Sequence, residues 1–209
     1  MKIQLLDNAK LCDMTLQDDT ASQILEICKR DGWYIAAAES LTGGLLADAF
    51  VRISGASQVF LGSAVTYDIA AKAHLLHVDT SVLKQFGAVC EPVARAMALG
   101  TVQAYANTAI TDDSSISNVR KGRVIGLSTT GVAGPGPDGN KPAGAVFIGL
   151  AVPQTLNTAA GFAQVESDTG EQQNSYVTHV WRLSLQGDRE SVRRQVVQAV
   201  LDRLLAALQ

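Results

Sequence analysis

The sequence predicts an α/β sandwich around a mainly parallel sheet, on three observations. Short apolar runs of strand length, such as Tyr34–Ala38 and Ala145–Val152, alternate with stretches of helical periodicity. These runs are apolar at almost every position, as in strands covered on both faces. Two strands, the first and the run Arg123–Thr129, end in glycine-rich turns. In open α/β sheets ligands gather there, at the carboxyl ends of the strands.

Each element follows in order. Ile24, Leu25, Ile27 and Cys28 make Ser22–Lys29 a short amphipathic helix ended by Asp31-Gly32. The strand Tyr34–Ala38 comes next. Leu45, Leu46, Ala49 and Phe50 recur at helical spacing, so Thr42–Ile53 is a helix stopped by Ser54-Gly55. Val59–Tyr67 holds the next strand. Ala70–Leu76 and Thr80–Phe86 are short helices and Glu91–Tyr105 a long one. Thr111–Lys121 is polar and Ser/Asp-rich, a loop. Arg123–Thr129 is a strand that runs into a Gly/Pro-rich loop, and Ala145–Val152 is the strand after it. Gln154–Asn174, poor in large apolar residues, is a surface excursion. Val177, His179, Trp181, Leu183 and Leu185 alternate, which predicts a half-exposed, antiparallel edge strand. Asp188 caps a last helix whose stripe runs through Val192, Val196, Val200, Leu204 and Leu208. No repeat or domain boundary interrupts the pattern, so residues 1–209 are expected to be one domain, with 1–20 an extension.

Composition narrows the function classes. Of 209 residues 47% are hydrophobic and 18% charged, the make-up of a packed globular chain. A formal net charge of −3 provides no basic field for nucleic acid or anionic lipid. No window approaches the roughly 20 apolar residues of a membrane span. Cys12, Cys28 and Cys90 form no CxxC pair, which favours free thiols in a reducing compartment over a zinc site. The expectation is a cytoplasmic protein without partners among nucleic acids or membranes. His74 and His77 are three apart on a helix, but no nearby carboxylate completes a metal site, so none is expected.

The chemistry concentrates in the two turns, Glu39-Ser40-Leu41-Thr42-Gly43-Gly44 and Thr130-Gly131-Val132-Ala133-Gly134-Pro135-Gly136. A strand-to-helix junction presents unpaired backbone N–H groups at the positive end of a helix dipole, suited to a phosphate or an oxyanion. Glycines let the backbone approach a ligand closely. A serine at the tip would hold its hydroxyl above those donors, the logic of a nucleophile elbow without its GxSxG sequence. The same residues would also serve as a plain helix cap. The Rossmann GxGxxG and the P-loop GK[ST] are both absent. With no evident histidine base, a serine nucleophile needs another, and lysine is the known alternative. The two glycine-rich strand ends and Arg189, at a helix start, offer donors for a phosphate, the alternative for Arg189 being a pair with a neighbouring carboxylate.

In sequence order, Ala38–Gly44 (AESLTGG), Thr66–Lys72 (TYDIAAK), Gly87–Cys90 (GAVC), Thr130–Pro135 (TGVAGP) with Lys141–Gly144 (KPAG), and Gly187–Arg193 (GDRESVR) resemble the motifs of the CinA C-terminal domain family, which includes the nicotinamide-nucleotide amidases. The resemblance runs from about Gln23 to Leu208. It implies a three-layer α/β/α sandwich around a mainly parallel mixed sheet, often dimeric. It further implies hydrolysis of nicotinamide mononucleotide to nicotinate mononucleotide and ammonia, without metal or other cofactor. Carried over, Ser40 is the nucleophile, with Tyr67 and Lys72 its activating partners. Thr42, Gly43 and Gly44 in the first turn, and Thr130, Gly131, Ala133, Gly134 and Lys141 in the second loop, are expected to contact substrate, as is Arg189. Glu39 is expected to serve as a structural acceptor.

The chain departs from the family pattern at Leu41 (for Cys), Asp68-Ile69 (for Ser-Asn) and Cys90 (for Ser). The Asp68 carboxylate next to the proposed pair is the sequence argument for a rival expectation, a relative that binds a pyridine nucleotide without turning it over; an amidase for another amide is a third. If Lys72 is a base, its pKa must fall far below its ordinary 10.4, and Asp68 must point away from it.

Overall fold

The computed structural model describes residues 14–106, 122–159, 171–173 and 176–209. In chain order these form α1 (Met14–Asp31), β1 (Tyr34–Glu39), α2 (Leu45–Val51), a 3₁₀ turn (Ala56–Gln58), β2 (Phe60–Val65), α3 (Ile69–Leu76), α4 (Thr80–Phe86), α5 (Glu91–Ala106), β3 (Val124–Gly131), β4 (Ala145–Pro153), α6 (Gln154–Ala159), β5 (Glu171–Gln173), β6 (Tyr176–Ser184) and α7 (Arg189–Leu208). The expected loop at 111–121 and part of the excursion at 154–174 lie outside the described residues, as do residues 1–13. The predicted first helix is longer than its apolar stripe. It begins at Met14, so residues 14–20, expected in the extension, are its opening turns, where Gln17 Nε2 donates to the Arg194 carbonyl at 3.2 Å.

The sheet order is β2-β1-β3-β4-β6-β5. β1 pairs in parallel with β2 and β3, while β3–β4, β4–β6 and β6–β5 are antiparallel. β1, β2, β3 and β6 therefore run one way, and the parallel pairing is confined to the β2-β1-β3 half. Side chains alternate across β1. Ile35 and Ala37 face α1, α2 and α7, packing with Ile24, Phe50 and Leu201, whereas Ala36 and Ala38 face α3, α4 and α5, packing with Leu76, Met97 and Val102. This is a three-layer α/β/α sandwich. The two faces differ in depth. On the α5 side a Cβ added at Gly126 would lie 2.2 Å from the Ala98 carbonyl oxygen, so only glycine lets the helix backbone sit this close to the sheet. On the other side large groups fill the space: Phe50 is fully buried and stacks on Phe60 with centroids 5.1 Å apart. Burial of such a side chain is worth roughly 1.5–3 kcal/mol.

One strand differs from its predicted setting. β6 is antiparallel, as its alternation implied, and Arg182 and Ser184 at its far end are exposed, but its first half is covered. β5 pairs with Tyr176–Thr178, and Thr178, His179, Val180 and Trp181 are all buried. Thr178, a polar residue of the alternation, is met from the α5 side by Arg95, itself buried, which donates to its hydroxyl and, at 2.9 Å, to its carbonyl. Alternation reported the pleat and not the solvent.

The parallel half matters for function. The carboxyl ends of β1, β2 and β3 lie on one rim, and β4 begins there. Both glycine-rich segments sit on that rim.

Candidate active site

Ser40 leaves β1 last. Its N–H still donates to the Thr129 carbonyl of β3 at 3.0 Å, so the sheet fixes its backbone. Lys72 reaches it from α3, which starts four residues past β2. The Lys72 Nζ lies 3.0 Å from Ser40 Oγ, and donates to the carbonyls of Thr66 at 2.6 Å and Tyr67 at 3.3 Å. Lys72 is fully buried, an uncommon setting for a lysine. Burial pushes its pKa down from 10.5 to about 8, against the opposing charge of Asp68. Asp68 caps α3, its Oδ1 accepting from the N–H groups of Ala70 at 2.7 Å and Ala71 at 3.3 Å. Its carboxylate makes no hydrogen bond to Lys72.

The turn after Ser40 differs from the sequence expectation in its donors. The glycines were expected to leave the N–H groups of the following helix open. Instead the fully buried Glu39 carboxylate occupies them: Oε2 accepts from Gly44 N at 2.9 Å and Leu46 N at 3.0 Å, and Oε1 from Ala47 N at 2.9 Å and Ser63 Oγ at 2.9 Å. A carboxylate at a helix N-terminus satisfies both the unpaired donors and the dipole. Glu39 is thus the structural acceptor expected of it. Gly43 and Gly44 have φ of 57° and 100°, and this left-handed pair folds the chain back over Glu39. The N–H groups of Leu41, Thr42 and Gly43 meet no acceptor among the described residues. The carbonyls of Leu41 and Thr42 do have a partner. Arg193 of α7 donates to them through Nε at 2.9 Å and Nη2 at 2.7 Å, and through Nη1 to Glu190 at 2.7 Å.

A cleft of about 250 Å³ opens beside this turn, walled by Leu41, Tyr67, Gly131–Asp138 and Arg189. Ser40 and Lys72 do not line it, but two of its walls adjoin them: Leu41 follows Ser40 in the chain, and the Tyr67 carbonyl accepts from Lys72; Ser40 is only 8% exposed. A larger cleft of about 610 Å³ lies between α3 and α4, lined mainly by Ile69, Ala70, Ala73 and Leu83, and does not include Ser40, Lys72 or either glycine-rich turn. The smaller cleft is the one beside the reactive groups.

The structure sorts the remaining sequence candidates. Gly131, Ala133, Gly134 and Arg189 line the cleft. Arg189 clasps its mouth, donating through Nη1 to the Gly134 carbonyl at 2.6 Å and through Nη2 to the Tyr67 hydroxyl at 3.0 Å. The exposed Tyr67 ring therefore belongs to the cleft wall, and only its backbone carbonyl meets Lys72. Thr42 and Thr130 are buried and turned inward: Thr42 Oγ1 lies 2.8 Å from Thr129 Oγ1, and Thr130 Oγ1 donates to the Ala88 carbonyl at 2.7 Å. Gly43 and Gly44 shape the first turn without lining the cleft. Lys141 also stands off it, its backbone pairing with Asp138 in a tight turn. Cys90, at the start of α5, has a thiol pushed up by burial, the reverse of an activated nucleophile. His77 ends α3 in a left-handed conformation, and no three His, Cys, Asp or Glu side chains converge among the described residues. Arg193 closes the motif Gly187–Arg193, but sequence reasoning gave it no role at the Ser40 turn. Its spacing of four from Arg189, on one face of α7, was the available signal.

Fold and site together define an α/β/α sandwich that holds a buried serine–lysine pair at the carboxyl rim of its sheet. Residues 17–113 and 115–180 match the CinA C-terminal domain, and the chain belongs to that family. It is 35% identical over 191 residues to a putative competence-damage inducible protein of Clostridium acetobutylicum, a match covering 91% of this chain and 36% of the relative. It is 41% identical over 124 residues to the nicotinamide-nucleotide amidohydrolase PncC of Enterobacter agglomerans, covering 59% of this chain and 66% of that protein. The chain spans roughly a third of the length of several curated relatives. Among solved structures, the competence/damage inducible protein CihA of Agrobacterium tumefaciens superposes with a TM-score of 0.69 at 27% identity, over 92% of this chain and 96% of that one. No helix among the described residues is long and apolar enough to cross a membrane.

Proposed function

We propose that this chain hydrolyses the carboxamide of nicotinamide mononucleotide to nicotinate mononucleotide and ammonia, with Ser40 as nucleophile and Lys72 as base. The observation that carries the reading is the 3.0 Å contact between Ser40 Oγ and the buried Lys72 Nζ. A neutral amine has two N–H groups and one lone pair. With the carbonyls of Thr66 and Tyr67 taking the two N–H groups, the lone pair is left for the serine proton. The pKa near 8 leaves about a tenth of Lys72 neutral at pH 7. The similarity to a nicotinamide-nucleotide amidohydrolase supports the choice of substrate.

The steps balance. Lys72 takes the Ser40 proton as Oγ bonds to the amide carbon, and the carbonyl oxygen becomes an oxyanion held by backbone N–H groups of the Leu41–Gly43 turn. Lys72 returns the proton to the amide nitrogen, the C–N bond breaks and ammonia leaves. Water, deprotonated by Lys72, then cleaves the acyl ester, and Ser40 recovers its proton. Asp68 caps α3 and makes no hydrogen bond to Lys72, which supports turnover over a silent relative, although its charge still opposes the neutral amine. Arg189 offers five N–H donors, two of them engaged at the cleft mouth, and the rest suit the 5′-phosphate.

The test is incubation of the purified chain with nicotinamide mononucleotide, with ammonia and nicotinate mononucleotide measured together. Wild type should produce both in equal amounts, and Ser40→Ala should lose at least about 10³-fold in turnover while melting normally. Near-normal release by Ser40→Ala would remove Ser40 from the chemistry. Binding without product in the wild type would favour the silent relative.

A further inference from the structure

We infer that Arg193 is a positioning residue for the oxyanion donors of the Ser40 turn, an inference that rests on the proposed serine mechanism and adds to it. An oxyanion near Ser40 needs N–H donors, and the obvious ones, at the start of α2, are unavailable because Gly44, Leu46 and Ala47 all donate to Glu39. What remains is the short stretch between, the N–H groups of Leu41, Thr42 and Gly43, which have no acceptor among the described residues.

Arg193 holds the other side of those same peptide units. In a trans peptide the C=O and N–H point in opposite directions. The Leu41 carbonyl shares its peptide plane with the Thr42 N–H, and the Thr42 carbonyl shares its plane with the Gly43 N–H. By binding both carbonyls, at 2.9 and 2.7 Å, the guanidinium fixes the Leu41 plane alone and the Thr42 plane together with the Leu45 N–H, 3.2 Å from the same oxygen, and turns both N–H groups away from itself. A charged donor on a carbonyl also polarises the amide, which makes its N–H a stronger donor. The planar fork is suited to this, since one rigid group reaches both oxygens; an ammonium cannot span them equally. The fit is close: a Cβ added at Gly43 would stand 3.4 Å from Arg193 Nη2. Glu190, on the preceding turn of α7, holds the guanidinium at 2.7 Å. Arg193 makes no hydrogen bond to Ser40 or Lys72.

A positioning role and a purely structural staple make different predictions. The purified full chain would be assayed with nicotinamide mononucleotide as wild type, Ser40→Ala, Arg193→Met and Arg193→Lys, each with and without added methylguanidinium, and the folded fraction followed by melting. We expect kcat of Arg193→Met to fall about 30- to 100-fold, somewhat less than deletion of a whole oxyanion donor, with KM within threefold. Arg193→Lys should lie between it and wild type. Methylguanidinium should restore part of kcat in Arg193→Met without moving its melting temperature, and nothing in Ser40→Ala. A folded Arg193→Met with kcat within threefold of wild type would overturn the inference, as would a kcat that recovers only in step with the folded fraction. If Arg193→Met does not fold, wild-type kcat in Arg193→Lys overturns it equally. Turnover retained in Ser40→Ala, or absent from wild type, would instead overturn the serine reading beneath it.

Discussion

The two glycine-rich segments of the rim are built to opposite standards. The Ser40 turn is held from every side: by β3 through Thr129, by the four donors on Glu39, by Arg193, and by Lys72. The loop from Gly131 to Gly144 is exposed from Pro135 to Asn140, and its far end closes on two backbone bonds between Asp138 and Lys141. Arg189 is its main tie to the rest of the cleft. The difference separates two tasks. Atoms that must meet at bond-forming distance are fixed by buried polar contacts, because a small misplacement costs rate steeply. On the proposed reading, the surface with fewer ties is the one that admits and releases a nucleotide.

Lys72 should mark the rigid side most strongly. Arg cannot serve as a base, so Lys72→Arg should lose about 10³-fold or more in kcat. Wild-type kcat/KM should climb with pH and level off above an apparent pKa of about 8, as the buried amine loses its proton. Stability should move in the same direction. A folded pKa of about 8 against an ordinary 10.5 means that the folded chain binds fewer protons between those values, so stability rises with pH across that window. Below pH 8 the buried ammonium costs about 3 kcal/mol. Lys72→Met removes that cost but leaves the Thr66 and Tyr67 carbonyls without a donor. It should end about 1–2 kcal/mol more stable than wild type at pH 7, with a flat pH profile over 8–10.5 and no turnover. Denaturant melts at pH 7 and pH 10 check this; a less stable Met variant would mean that Lys72 is held as a partnered ion.

Glu39 should show a structural effect of the opposite kind. Glu39→Ala strands three helix N–H groups and the Ser63 hydroxyl in a fully buried place. A loss of about 2–4 kcal/mol is expected. Glu39→Gln keeps the shape but turns an NH₂ toward some of those donors, so it should recover only part of the loss. Chemical denaturation measures both. An Ala variant within 0.5 kcal/mol of wild type, on the order of a neutral surface change, would show that the turn does not depend on its buried carboxylate.

The sequence carried the strands and most helices because each has its own signal: an unbroken apolar run for β1, an N-cap aspartate for α7, and matching limits for α4 at Thr80–Phe86. It misjudged the first half of β6, where Thr178 is covered by Arg95 from a distant helix. At the site, the residue types at Ser40 and Lys72 were legible through a resemblance, but their 3.0 Å contact arises from the β2–β1 pairing, which no local pattern encodes. Residue type was a poorer guide to direction. Thr130 sits in the expected loop and faces inward to Ala88, while the Tyr67 ring faces Arg189 and not Lys72. The true occupant of the α2 N-terminus, Glu39, was in plain view five residues upstream of Gly44; a side chain folding back on its own turn leaves no periodic trace.

The looser side is tested by Arg189, where the smallest effect is expected. Its guanidinium ties Gly134 to Tyr67 across the mouth of the cleft and is exposed, so its contacts are screened and its removal should cost little stability. If its free donors also take the phosphate of the substrate, Arg189→Ala should raise KM for nicotinamide mononucleotide about 5- to 20-fold, the loss of one or two charge-assisted hydrogen bonds at a wet site. It should leave kcat within about threefold, because Ser40, Lys72 and the turn are held independently. The comparison with the riboside, which has no phosphate, isolates the cause. Wild type should prefer the mononucleotide over the riboside, and Arg189→Ala should lose most of that preference by weakening only the mononucleotide. An equal rise in KM for both compounds would mean that Arg189 serves only to hold the cleft wall. A fall in kcat matching that of Arg193→Met would mean that the two sides of the rim are coupled, and that closing the loop on the substrate helps to align the Ser40 turn.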